Sequence, residues 1–227
     1  MKQPVVDYRE FRLSKLNDPR FSHLKWLLGW VFYFAAYFLT EALIPAERCH
    51  VIHCALDDLI PFCEYFVIPY VFWYFLIVGS LLYFLLYNVD SFKNLQKFFI
   101  ITQVVAVIIY IVYPNRQDLR PEVFVNDNIF TQLVGFLYSA DTNTGVCPSL
   151  HCAYSIGIAS VWLKENGVSK WFKALIVVIV ILICMSTAFI KQHSVLDFVA
   201  AIPVCILAEF LIYWKSYYTP RLRKSQR

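Results

Sequence analysis

Six apolar stretches dominate the chain, at residues 24–44, 66–87, 98–113, 148–163, 172–190 and 195–214. Each is close to the roughly 20 residues that an α-helix needs to cross a hydrocarbon core. Lipid offers no partner for a bare backbone N–H or C=O, so a stretch of this kind has to be helical. Composition agrees, with 59% hydrophobic residues and a mean hydropathy of +0.57, too apolar for an ordinary soluble domain. The expected fold is therefore all-α: a polytopic six-transmembrane-helix bundle forming one membrane domain over 24–214. Residues 1–23 read as a cytoplasmic segment without a cleaved signal peptide, and 215–227 as a basic cytoplasmic tail.

Lysine and arginine orient the bundle. Six lie at or before Lys25, two in 88–97, three in 164–173 and five from Lys215 onward, leaving Arg48, Arg116, Arg120 and Lys191 elsewhere. With six spans these groups alternate, so the positive-inside bias puts both termini in the cytoplasm and the loops at 45–65, 114–147 and 191–194 outside. The net charge of +4 is largely this bias and gives no reason to expect a nucleic-acid partner. Cys152, Cys184 and Cys205 fall in spans as small apolar fillers. Cys49, Cys54, Cys63 and Cys147 fall outside, where a disulfide is permitted but its pairing is open. The run from Cys49 to Cys54 contains His50 and His53, yet its spacing matches no common zinc site, and no metal is expected.

Ionisable residues at the edge of spans five and six are costly in lipid and usually face a cavity where they act. The stretch Thr187 to Asp197 carries Lys191, Gln192, His193 and Asp197. If a helix starts near Ser194, His193 and Asp197 lie four apart on one face, where a carboxylate can hold one ring nitrogen and leave the other free. A boundary histidine beside a helix-starting aspartate explains the pair equally well when it is read alone. Upstream, Tyr113 and Pro114 close the third span, and Arg116 and Arg120 follow as headgroup anchors or phosphate grips. Phe124, Phe130, Leu133, Val134 and Leu137 predict a short amphipathic helix on the outer surface between 123 and 137. Pro148 near the first helical position and Ser149 start span four, and the free amides of its first turn, around Leu150, make an anion site beside His151. In the 46–65 loop, Asp57, Asp58 and Glu64 read either as a solvated edge or as the mouth of a site.

Taken in order, Arg120-Pro121, Pro148-Ser149-Leu150-His151 and Ser186-Thr187 followed by His193 and Asp197 resemble the phosphatidic acid phosphatase type 2 superfamily, which shares its fold with vanadium haloperoxidases. The family pattern is Lys-x6-Arg-Pro, Pro-Ser-Gly-His and Ser-Arg-x5-His-x3-Asp. Here Tyr113, Leu150 and Thr187 stand at the lysine, glycine and second arginine positions, a variant similar to the branch with inositol phosphorylceramide synthases and related bacterial membrane proteins. The resemblance covers about residues 100–214 and implies that His193, held by Asp197, attacks phosphorus, and that His151 is the general acid and base. It further implies phosphate contacts from Arg120, Ser149, Leu150 and Thr187. Two of the family's cationic positions are lost here, and Arg116 or Lys191 stands near enough in sequence to supply the charge; Tyr113, Lys191, Gln192, Asp57, Asp58 and Glu64 are read as the substrate mouth. No cofactor is implied. The expectation is a metal-independent lipid phosphate phosphatase with an extracytoplasmic site in a bacterial plasma membrane. Its substrates would be phospholipid, polyprenyl or sphingolipid phosphates. Two alternatives stand beside it, a lipid phosphotransferase of the inositol phosphorylceramide or sphingomyelin synthase kind, and a non-enzymatic transporter or structural membrane protein.

Overall fold

The computed structural model describes residues 3–221; residues 222–227 of the expected basic tail lie outside the described residues. The described residues form α1 (Leu28–Leu43, entered through a 3-10 helix at Ser22–Leu27), α2 (Ala55–Leu59), α3 (Val67–Tyr87) and α4 (Val89–Val112). There follow α5 (Ile129–Ala140), α6 (Leu150–Lys164), α7 (Lys170–Phe189) and α8 (Val195–Tyr213), with β1 (His50–Val51) and β2 (Asn115–Arg116) as the two short strands. Five helical segments are long and apolar enough to cross a membrane: Ser22–Leu43, Glu64–Tyr87, Val89–Val112, Lys170–Phe189 and Val195–Arg221. The part of the expected tail from Lys215 to Arg221 is thus helical and continues α8.

The expected fourth span is the exception. As α6 it has 15 residues, which rise only about 22 Å against a hydrocarbon core of roughly 30 Å. Its surroundings are those of a central helix. It packs against α3, α4, α7 and α8, and residues from Leu150 to Trp162 are buried on several sides of it. The outer helices bury one stripe and show apolar side chains elsewhere. In α7, Ile176, Val180 and Ile183 face inward while Leu175, Val178, Ile181 and Leu182 are exposed, a surface suited to acyl chains.

Close packing at the centre depends on Gly157. A Cβ placed there would lie 2.5 Å from Cδ1 and 2.9 Å from Cε1 of Phe98 on α4. The Phe98 ring is fully buried and cannot swing aside. Gly157→Ala is therefore predicted to destabilise the bundle by about 1–3 kcal/mol through overpacking, read as a lower midpoint of thermal unfolding in detergent.

Residues 88–97, expected as a cytoplasmic connection, are instead the turn and first turns of α4. Asn88 alone joins α3 to α4 and accepts from the Ser91 amide. Its Nδ2 donates to both oxygens of Glu165, at 3.0 and 2.9 Å, and Ser91 Oγ donates to the same carboxylate at 2.8 Å. The polar run around Lys93 and Lys97 lowers hydropathy without ending the helix, since Phe92, Leu95 and Gln96 are buried. Pro148 also sits differently. The first helical residue of α6 is Leu150 with Ser149 as its N-cap, so Pro148 lies one residue ahead of the cap. The amphipathic helix begins at Ile129 rather than near 123, because Asn128 caps it through the Phe130 and Thr131 amides.

Hydrogen bonds assign the ends. Cys63 N to Phe189 O and Ser149 N to Asp197 O gather the start of α3, the end of α7 and the starts of α6 and α8. At the opposite end, Val5 N donates to Leu86 O, and Lys164 on α6 pairs with Glu209 on α8. Both described chain ends therefore lie opposite the end that carries His151 and His193. That end is covered by three loops knitted through the parallel pairing of His50 with Asn115 and Val51 with Arg116, plus a bridge from Arg116 to Thr144.

Candidate active site

Asn115 sets the approach to α6. Its side chain is fully buried; Oδ1 accepts from the amides of Val146 and Cys147, while Nδ2 donates to Tyr113 O and Cys147 O. Gly145 beside it has φ +60°, a left-handed conformation that glycine adopts without penalty. Tyr110 donates its hydroxyl to Pro148 O at 3.0 Å. These contacts fix the chain just before Ser149, whose Oγ accepts from the Cys152 amide at 3.4 Å. Leu150 and His151 therefore begin a capped helix whose first amides have no partner within the helix.

The second wall is the turn between α7 and α8. Thr187 O accepts from the amides of both Gln192 and His193, while the Thr187 hydroxyl bends back to Cys184 O. Lys191 takes φ +55°, which reverses the chain. Ser194 caps α8, and Asp197 Oδ2 accepts from the Ser194 amide at 3.0 Å.

These two starts bring the histidines together. His193 Nδ1 lies 3.0 Å from Asp197 Oδ2, and His193 Nε2 lies 3.3 Å from His151 Nδ1. The result is a line of Asp197, His193 and His151. A proton is shared at each step, and the Asp197 bond favours a proton on Nδ1 of His193. His151 lies against Trp73 and Tyr70, at ring separations of 4.1 and 4.7 Å. Its Nε2 is buried without a protein partner, as is Asp197 Oδ1.

Arg120 stands beside this line. Nη2 donates to Gln192 Oε1 at 2.6 Å, to Asp141 O and to Thr142 O; Nη1 donates to Tyr138 O, and the guanidinium lies 4.5 Å over the Tyr138 ring. Gln192 is the neighbour of His193, and its Nε2 is a buried donor without a partner.

Other candidates are placed elsewhere. Arg116 donates to Ala46 O and pairs with Asp118 at 3.1 Å. Lys191 Nζ donates to Asp57 O and Ile60 O, and Tyr113 is stacked on His50. Asp58 pairs with His53 at the exposed surface. Glu64 accepts from the side chains of Asn126 and Asn128. None of these five side chains is hydrogen-bonded to either histidine.

Several residues of the site carried no signal in the sequence. Asp141, Tyr138, Tyr70, Trp73 and Asn115 resemble any loop or helix residue until distant segments meet; an aromatic pair three apart on α3, Tyr70 and Trp73, was the one periodic hint of a shared face.

Electrostatics sharpen the roles. Burial disfavours a charged His193, but the hydrogen bond and charge of Asp197 outweigh it, so its pKa is raised above the ordinary 6.5. Burial raises the Asp141 carboxyl above the usual range, against the pull of His193 and Arg120. Burial lowers the Arg120 pKa, although guanidinium stays charged. A raised His193 contributes stability below its unfolded pKa, lost as pH rises through the folded one.

Among the described residues no group of three or more His, Cys, Asp or Glu side chains is arranged to hold a metal ion. All seven cysteines are free thiols. Compared with family models, with curated proteins and with solved structures, the chain gave no match.

Proposed function

We propose that this protein is a membrane phosphoesterase that cleaves lipid phosphates through a phosphohistidine on His193, without a metal. The observation that carries the reading is the Asp197–His193–His151 line beside a guanidinium and the start of α6. It fits the resemblance to the phosphatidic acid phosphatase type 2 superfamily. In this reading α6 completes a six-helix membrane domain, with both termini cytoplasmic and the site on the outer face.

The chemistry follows from the geometry. A bound phosphoryl group displaces the contact between the two histidines and takes its place. Arg120, Nε2 of the Gln192 side chain and the first amides of α6 hold the equatorial oxygens. Nε2 of His193 forms a bond to phosphorus as the bond to the lipid oxygen breaks, and His151 gives that oxygen a proton. Water then attacks the phosphohistidine, His151 takes its proton, and phosphate leaves with His193 restored.

His193 must be unprotonated at Nε2 to attack. The acid limb of the rate profile is thus expected above pH 6.5 in the wild type, following the raised His193. Asp197→Asn removes the interaction that raises it, so the limb moves to lower pH while the rate falls. A profile of kcat against pH for both proteins checks this, and an unmoved limb contradicts it.

The reading as a whole is tested by phosphate release from a panel of lipid phosphates in detergent with EDTA present. Activity inhibited by vanadate, a phosphate mimic, supports it; wild-type silence to every phosphate lipid opposes it, and a transporter would be indifferent to vanadate. One observation favours phosphotransfer to a lipid hydroxyl as a second reading. Arg116 and Lys191 are bonded to Ala46, Asp118 and the 57–60 carbonyls, so among the described residues Arg120, through its bond to Gln192, supplies the permanent positive charge beside the histidines, which suits a singly charged phosphodiester better than a doubly charged monoester. Paired donor and acceptor lipids separate the two.

A further inference from the structure

The 46–65 loop is tied to the turn that bears His193 more firmly than a solvated loop edge requires. Asp57 is 2% exposed, and its carboxylate collects three donors. Oδ2 accepts from Ser194 Oγ at 2.6 Å and from the Cys54 amide at 2.8 Å, while Oδ1 accepts from the Val195 amide at 2.8 Å. The tie is reciprocal, because Lys191 Nζ donates to the carbonyls of Asp57 and Ile60 at 2.8 and 2.5 Å. Loop α2 and the catalytic turn therefore hold each other by side chain to backbone in both directions.

The consequence runs through Ser194. Its hydroxyl donates to Asp57 and accepts from the Leu196 amide, and its amide donates to the same Asp197 oxygen that meets His193 Nδ1. Moving Ser194 moves one of the two donors that orient Asp197. The carboxylate is held ionised: burial opposes the charge, but the Ser194 hydroxyl and the Val195 and Cys54 amides bring its pKa below the usual range.

We infer that Asp57 is a positioning residue for the reaction, one that clamps the start of α8 so that Asp197 presents His193 to phosphorus. This rests on the phosphohistidine reading and adds an outer-loop residue that touches no reacting atom. A solvated loop edge would leave the burial of Asp57 and its three donors without purpose, and a purely structural clamp would stabilise α8 without setting the His193–Asp197 geometry.

Asp57→Asn is the informative change. The amide cannot match all three donors: its NH2 group faces either the Val195 N–H or the Cys54 N–H, a donor against a donor. Displacement of a reacting group by about 1 Å can cost on the order of a hundredfold, so kcat is expected to fall about ten- to a hundredfold with KM changed less than about threefold. The acid limb of the pH profile should also move to lower pH as the Asp197 bond loosens. Ser194→Ala makes a smaller lesion of the same clamp and carries the test if Asp57→Asn does not fold.

Proton–nitrogen NMR of histidine-labelled protein in detergent supplies a readout that needs no substrate. The Nδ1 proton of His193, assigned by its loss in His193→Ala, should be far downfield in the wild type and shift upfield in both variants. Folded variants with wild-type kcat, pH profile and Nδ1 signal overturn the proposal, even if their unfolding midpoint drops. If His193→Ala keeps turnover, the phosphohistidine reading fails by itself. The positioning claim is then decided by the NMR signal alone, an unmoved signal overturning it.

Discussion

Purified His193→Ala protein is expected to release lipid phosphate at least about a thousandfold more slowly than the wild type, since loss of a nucleophile removes the covalent route and leaves only binding and electrostatic terms. No neighbouring group can substitute. His151 has no carboxylate on its ring comparable to Asp197, and its free nitrogen is buried among Trp73 and Tyr70. The variant should still fold, because the turn is held by main-chain bonds from Gln192 and His193 to Thr187 and by the Asp57 clamp. Thermal unfolding beside the assay separates lost chemistry from lost structure. A folded His193→Ala protein with wild-type turnover contradicts the mechanism.

The second large effect is that of His151→Ala. General acid and base catalysis is worth roughly a hundred- to ten-thousandfold, and in the proposed mechanism one residue serves both half-reactions. The variant keeps the His193–Asp197 pair, so in that mechanism it keeps the nucleophile and loses the proton donor. Lipids whose leaving oxygen is a good leaving group should suffer least in the first step, because that oxygen needs no proton. Hydrolysis of the phosphohistidine still lacks its base, so phosphoenzyme should accumulate with such substrates. Rapid-quench measurement of the phosphoenzyme against time checks this, and equal slowing for all leaving groups without accumulation contradicts it.

Several features of this arrangement were legible before any coordinates. The long helices α3 and α7 are written as apolar runs because their outer faces meet lipid, which tolerates Phe72, Phe75, Val178 and Ile181 in the open. The pairing of His193 with Asp197 was legible because it is local, two residues four apart at a helix start. The boundaries at Asn88 and Leu150 were not. Hydropathy averages over residues and cannot see that Lys93 and Lys97 ride on a continuous helix. Nor can it tell a buried helix such as α6 from a lipid-facing one.

The site was only partly legible for a different reason. Arg120 and Gln192 meet across 72 residues, and Asp57 meets Ser194 across 137. Spacing arguments end at such distances. Read as a group, Asp57, Asp58 and Glu64 looked equivalent in the loop, yet one clamps α8, one sits exposed beside His53, and one caps the asparagines before α5. Lys191 and Arg116 looked like spare charge for a phosphate. Each is spent on carbonyls or on Asp118. Three-dimensional neighbours decide what a charged side chain can do, and sequence reports only the charge.

The measurement that goes most directly to the central claim is capture of the covalent intermediate. Wild-type protein is mixed with a phosphorus-labelled lipid phosphate, quenched in alkali and digested, and the labelled peptide is identified. Label is expected on the peptide containing His193, stable to base and released by mild acid as a phosphoramidate is, and absent from His193→Ala. Substrate turnover with no label on that peptide, or label on a serine or threonine instead, contradicts it.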